Sequence, residues 1–379
     1  MKAYNSTWIE NIQIREVAEE WHQNNMLNKE QFDKINEVFD VGFKQYNIYI
    51  RIGLFLFTSL ACICTYSFIA FLFAFPDNKY FMAALALASG IFFTIYLEIN
   101  IKRQKYYNSG VDNALIFSSI CAILTAVYLV TSDFNLATWQ YSLIALPFLI
   151  IAFFRYGNTQ LALAMVGCFL ATLFFYITQF GLGKQLIPFI MMALSVGIYW
   201  LNQRFETSYY AEAQEFIKIM ALITFYLSGN YLVVREGNAI LNNLSPSIQI
   251  DFAPVFYVFS TIIPIFYLYL GIKQKDRAFL IIGGLAVLFS IFTYRTYFST
   301  IPIEWALCLG GLAAIIISIV AIRFFSADKW GISSLPAQRS KYQEIESIIL
   351  GQILQSKSNA PDTKFGGGNF GGGGAGNSY

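Results

Sequence analysis

Long apolar runs constrain this chain more than any other feature. A helix rising 1.5 Å per residue needs about 20 residues to cross a hydrocarbon core. At that length the sequence offers ten runs, at residues 52–75, 81–97, 114–130, 139–154, 161–180, 186–201, 216–234, 252–270, 279–294 and 305–325. Apolar surface that would be penalised in water loses nothing against lipid, and a helix satisfies its own backbone groups where no water is present. Composition agrees, with 56% of residues hydrophobic and only 13% charged, against about 25% charged in an ordinary soluble domain. The expected fold is all-α, a polytopic transmembrane helix bundle of about ten spans. RYGNTQ alone separates the fourth and fifth runs, so these two read either as separate crossings or as one kinked or re-entrant element.

Basic residues test the count, because Lys and Arg collect in cytoplasmic loops. With the amino terminus inside, all 25 Lys and Arg except Lys79, Lys184, Arg235 and Arg295 fall in inside segments. Removing one middle span would carry the KQKDR loop at 273–277 and the C-terminal basic residues to the other side. An even number of crossings is therefore expected, in a cytoplasmic-type (inner) membrane with both termini cytosolic. Residues 1–45 are charged and amphipathic and the first run lacks a small-residue cleavage site, so no signal peptide is expected. Trp139, Trp200, Trp305 and Trp330 lie at or near run boundaries, where an amphipathic ring favours the headgroup level.

Residues 1–47 read as a cytosolic amphipathic helical hairpin. Ile14, Val17, Ala18 and Trp21 share one helical face, and Phe32, Ile35, Phe39 and Phe43 form a second stripe. Between them Asn28, with Gln31 three residues later, matches a capping box in which Asn replaces Ser or Thr. Such stripes are expected to pack on the membrane domain or lie in the headgroups ahead of binding a partner. The lone His22 has no second ligand in reach and reads as a solvated side chain. After the transmembrane domain of residues 48–325, residues 326–355 hold an amphipathic helix region with Ile345, Ile348, Ile349 and Ile353 on one side. Residues 356–379 form a Gly-rich cytosolic tail, expected to be disordered because glycine loses most entropy on folding and buries no side chain.

The run EEWHQNNMLNKEQFDKINEVF at residues 19–39, followed by many hydrophobic spans, resembles the bacterial predicted membrane proteins grouped as domain of unknown function 2157. In that family a helix, a brief break and an acidic or amide-rich second helix precede the spans. The resemblance covers the N-terminal helical pair and the span pattern, and here the break reads NNML in place of a glycine. It implies a membrane protein without assigned chemistry.

The search for chemistry is mostly negative. No ionisable residue lies near the middle of a run, where it would mark an ion pathway or proton relay. Glu98 stands four residues before Lys102 and is expected to form a helix-end ion pair. Cys62, Cys64, Cys121, Cys168 and Cys308 all sit within apolar runs, and Cys62 and Cys64 point about 200° apart on a helix. G-x-S-x-G, P-loop, H-E-x-x-H and dinucleotide patterns are missing from the sequence. The chain is thus expected to be no enzyme, with no catalytic, cofactor-binding or metal residues and no nucleic-acid partner; its partners are membrane lipid and a cytosolic protein reached through the termini.

GGLA recurs at 283–286 and 310–313, and Ala306, Gly310 and Ala314 repeat every fourth residue. Gly283, Gly284, Ala306, Gly310, Gly311 and Ala314 are therefore assigned to close helix packing. Pro147 and Pro264 fall inside the fourth and eighth runs, where each removes a backbone donor and favours a kink that could frame a cavity. Residues 235–251 read as a partly helical surface loop. Two functions are compatible with these features: a non-catalytic membrane scaffold or sensor working through its cytosolic termini, or a permease for a small or lipophilic solute without buried-carboxylate coupling. A midplane cavity lined by Ser, Thr, Asn and Tyr from several spans would favour the second.

Overall fold

A computed structural model describes residues 2–44, 46–72, 78–205 and 207–298, together with the helical positions Cys308, Gly311, Leu312, Ile315 and Ile319. The described chain forms twelve α-helices: α1 Ser6–Gln23, α2 Lys29–Val38, α3 Ile48–Leu72, α4 Lys79–Gln104, α5 Val111–Thr131, α6 Thr138–Tyr156, α7 Thr159–Ile177, α8 Gly181–Arg204, α9 Ala211–Gly229, α10 Tyr231–Leu241, α11 Ala253–Gln274 and α12 Arg277–Phe298. Eight of them, α3–α8, α11 and α12, are long and apolar enough to cross a membrane; α9 and α10 together make a ninth if their 74° bend is counted within one span. The tenth expected run lies outside the described residues apart from those five positions. Only 6% of the apolar window of α3, and no more than 33% of any other, is buried inside the protein. Surfaces that apolar require lipid as their solvent, and the chain is a multi-span α-helical membrane protein.

Local chemistry divides the chain at RYGNTQ. Gly157 ends α6 in the left-handed conformation, and the Asn158 side chain accepts from Gln160 N at 2.8 Å to begin α7. That is a helix stop followed by a helix start, so the two runs form separate helices.

Packing sorts the bundle into two groups. In the first, α4 lies along α5 and α3 rests on α5; in the second, α7, α8, α10, α11 and α12 pack around α9, and α6 lies along α7. The main helix contact between groups is α5 with α6. Close approach follows small residues: Ala83, Ala86 and Gly90 of α4 are buried, and a Cβ at Gly90 would lie 2.7 Å from Ile123 Cγ1. Gly283 lies against Tyr267 and Leu268 of α11 with only 3.1 Å for a Cβ, whereas Gly284 and Gly311 meet no atom of the described residues within 4 Å. Ala306, Gly310 and Ala314 lie outside the described residues.

The chain divides into two compact units, with Asn11–Val41 separate from the bundle and from the first ten residues. In the smaller unit the two expected stripes face each other: Ile14, Val17, Ala18, Leu27 and Ile35 are buried, with Trp21, Phe32 and Phe39 packed around them. The Asn28 capping box is present in both directions, with Gln31 N donating to Asn28 Oδ1 at 2.8 Å and Asn28 N to Gln31 Oε1 at 3.0 Å. His22 is not a free solvated side chain; its Nδ1 lies 2.9 Å from Leu27 O and its ring stacks on Phe32 at 4.8 Å. Phe43 departs from the second stripe. It packs in the bundle unit against Trp8 and Tyr107, with ring centroids 5.0 and 4.9 Å away.

Candidate functional site

Two polar assemblies stand out in the bundle, one at each end of α9. At the first, Asp112 in the opening turn of α5 is fully buried. It accepts four hydrogen bonds, from Ser109 N at 2.8 Å, Ser109 Oγ at 2.9 Å, Asn108 N at 2.8 Å and Tyr4 OH at 2.9 Å. A buried carboxylate is tolerated only with such a complete donor set. The loop that supplies three of the donors turns at Gly110, whose φ of +93° suits glycine and where any Cβ would collide with Arg51 O.

Tyr4 connects this carboxylate to the other helix group. Burial first, and then the Asp112 charge beside it, hold the Tyr4 hydroxyl well above the ordinary tyrosine range, so it remains a donor. Ala3 N donates to Arg155 O at 2.8 Å, an oxygen that also accepts from Tyr209 OH at 2.8 Å, while Lys2 Nζ lies 4.5 Å from the Tyr209 ring. Alongside, Glu98 of α4 accepts from Arg155 Nε at 2.7 Å and Tyr156 OH at 2.9 Å, and Asn158 Nδ2 donates to Asn113 Oδ1 at 2.7 Å. The expected Glu98–Lys102 pair is thus replaced by a tertiary one, because Arg155 offers a fork in a half-buried site where a lysine one turn away offers an exposed point charge. Residues 2–4 and these pairs together staple α4 and α5 to α6, α7 and the turn before α9.

At the second assembly α9 stops at Gly229 and α10 leaves at 74°. Asn230, fully buried, occupies the corner: its Oδ1 accepts from Leu232 N at 3.0 Å and Thr293 Oγ1 at 3.1 Å, and its Nδ2 donates to Tyr226 OH at 3.0 Å. Tyr226 OH donates to Ala286 O at 2.8 Å and meets Ser290 Oγ at 2.8 Å. Tyr231 N donates to Ser260 Oγ at 2.9 Å. Pro264 explains one link. It is fully buried in α11 and cannot donate to Ser260 O four residues earlier; the Ser290 hydroxyl of α12 reaches that carbonyl at 2.5 Å instead. Ser260, Ser290 and Thr293 stand five to eight residues from the ends of their helices, roughly 7–12 Å along the axis.

The break continues into α10, which occupies the first part of the expected loop at 235–251. Arg235 Nη1 donates to Tyr231 OH at 3.2 Å and Nη2 to Ser247 O at 2.7 Å, with the guanidinium 4.4 Å from the Tyr297 ring. Glu236 accepts from Ser247 Oγ at 2.8 Å and from Tyr297 OH. Pro147 sits within α6 and belongs to neither assembly. Among the described residues no three or more His, Cys, Asp or Glu converge as a metal site would; Cys62 is buried and Cys64 exposed on α3.

Two signals in the sequence bear on residues the sequence reading does not reach. Ser109-Gly-Val-Asp112 is an S-x-x-D capping pattern ahead of an apolar run, and Gly229-Asn230 inside a run stops one helix and caps the next. Tyr4 carries no such signal, since its partner is 108 positions away. Comparison with protein-family models, curated proteins and solved structures returns no match to this chain. Geometry alone therefore carries the functional reading.

Proposed function

We propose that this protein is a non-catalytic membrane sensor or scaffold, inserted in a cytoplasmic-type membrane with its N terminus inside, a placement supported by the distribution of its Lys and Arg. The helical pair at residues 11–41 receives a cytosolic partner, and the N-terminal segment passes that event to the bundle. One observation carries this reading: the segment that leads into α1 is lodged across both helix groups, with Tyr4 on the buried Asp112 and Ala3 on Arg155 O. Any pull on α1 acts directly on that staple.

The magnitudes permit the coupling. A hydrogen bond to a charged group contributes about 1.5–3 kcal/mol, and a partner that prefers the released state by a factor of ten supplies about 1.4 kcal/mol. The two are of similar size, so binding at the hairpin shifts the staple without unfolding the bundle. The test compares full-length protein with two variants in native membranes. Deleting residues 11–41 is expected to abolish partner capture and the cellular phenotype together; Tyr4→Phe is expected to keep capture and alter the phenotype. If both variants behave as the parent, the reading is wrong.

A second reading, a permease for a small or lipophilic solute, is favoured by the neutral polar groups of three helices around the break at Asn230, a device by which transporters place binding groups within the membrane. Here those groups satisfy one another, so this reading requires a second conformation. Solute uptake into proteoliposomes that is lost in Asn230→Ala but kept on removal of residues 11–41 would favour it over the sensor.

A further inference from the structure

A cluster of cations lies where α4 ends and the chain enters α3. Lys44 N donates to Lys105 O at 3.2 Å, and Lys44 forms the isolated β-bridge with Tyr106. Lys44 Nζ reaches Gln104 Oε1 at 3.0 Å and lies 5.5 Å from the Tyr106 ring; Lys105 Nζ lies 5.2 Å from the Trp8 ring. Lys102 and Arg103 precede them in the last turn of α4. All four cations are exposed, and none of them forms an ion pair with a carboxylate of the described residues.

Two physical facts limit what this arrangement is for. The negative end of the α4 dipole accounts for basic residues in its last turn. It does not account for Lys44, which a separate segment delivers and a backbone contact holds beside Lys105. Like charges held together raise one another's energy unless an anion joins them. The surroundings then select the anion. Ile48, Tyr49, Ile50 and Ile52 at the start of α3, and Tyr96 and Ile99 near the end of α4, are exposed apolar side chains, and the Trp8 and Tyr106 rings flank Lys105 and Lys44 as interfacial aromatics do. A soluble anion would use the charges only. A lipid uses the charges and the apolar wall.

We infer that Lys44, Lys102, Arg103 and Lys105 bind the phosphate of an anionic phospholipid whose acyl chains lie along the start of α3 and the end of α4. Native mass spectrometry of the detergent-solubilised full chain, titrated with phosphatidylglycerol, tests it. The parent is expected to retain phosphatidylglycerol in preference to phosphatidylcholine. Lys44→Gln with Lys105→Gln is expected to weaken phosphatidylglycerol binding on the order of tenfold, with phosphatidylcholine retention unchanged. Lys29→Gln with Lys34→Gln, which removes the same charge from α2, is expected to bind as the parent does. Equal binding by the Lys44/Lys105 variant, an equal loss in the α2 variant, or displacement of the lipid by soluble glycerol phosphate would each overturn the inference.

Discussion

The two ends of α9 hold helices together by different chemistry. Beside its first residues the staple uses ionised groups, Asp112 with four donors and Glu98 with the Arg155 fork. Beyond its last residue the break uses an amide, hydroxyls and a carbonyl freed by Pro264. Exposure and donor supply together explain the difference. Side-chain exposures of 21% for Glu98 and 40% for Arg155 leave that pair in reach of headgroups or solvent, and Asp112, fully buried, is matched by four donors; at the break, neutral groups satisfy each other without the cost of a buried charge. The two also differ in what they join. The staple brings in the N-terminal segment, with Tyr4 reaching Asp112 across 108 positions; the break, whose contacts span up to 64 positions, joins three helices already packed together.

Mutations can break or sharpen that contrast. Asp112→Ala orphans several buried donors at once and is expected to have the largest effect, about 3 kcal/mol or more, read as a lowered thermal midpoint in detergent. Asn230→Ala removes a helix cap and one hydrogen bond from each of Tyr226 and Thr293, for an expected loss of about 2 kcal/mol in the same assay. A larger loss at Asn230 than at Asp112 would reverse the ranking of the two ends. Tyr4→Phe leaves Asp112 three donors, so about 1.5 kcal/mol is expected, together with faster proteolysis of residues 2–10. Gly283→Ala meets the α11 backbone and is expected to cost about 1 kcal/mol, while Gly284→Ala, with open space at its Cβ, is expected to be neutral or slightly stabilising in unfolding experiments.

The smallest effect concerns pH. The Tyr4 hydroxyl titrates well above its ordinary value in the folded protein, so its contribution is fully present below the unfolded value of about 10 and is lost as pH rises beyond it. The stability difference between the parent and Tyr4→Phe is therefore expected to stay constant from about pH 7 to 9 and to shrink above about pH 10. A difference that already shrinks near neutrality would show that Tyr4 does not hold its proton as the staple requires.

The legible part of the fold is the part that short-range physics decides. Each described apolar run coincides with a helix, from α3 at Ile48 to α12 at Phe298, except the run at 216–234, which breaks at Asn230 into α9 and α10; backbone satisfaction in lipid favours helix throughout such runs. The Asn28 box formed as its spacing requires, and the alternation of glycine and asparagine at 157–158 marks a helix boundary for the same local reasons. Gly283 and Gly284 show where locality fails: adjacent and identical in type, one touches α11 and the other faces open space, since helix rotation depends on neighbours.

Run length and charge thus determined by themselves that this polypeptide dissolves in lipid as a succession of helices preceded by a polar helical pair. Which helices touch was decided only in three dimensions: Glu98 choosing Arg155 over Lys102, Phe43 leaving the hairpin for Trp8 and Tyr107, Ser290 completing the carbonyl that Pro264 frees. Solvent preference is a property of each segment and is written in its composition, whereas a buried polar contact exists only when two distant segments arrive at one place with complementary donors and acceptors.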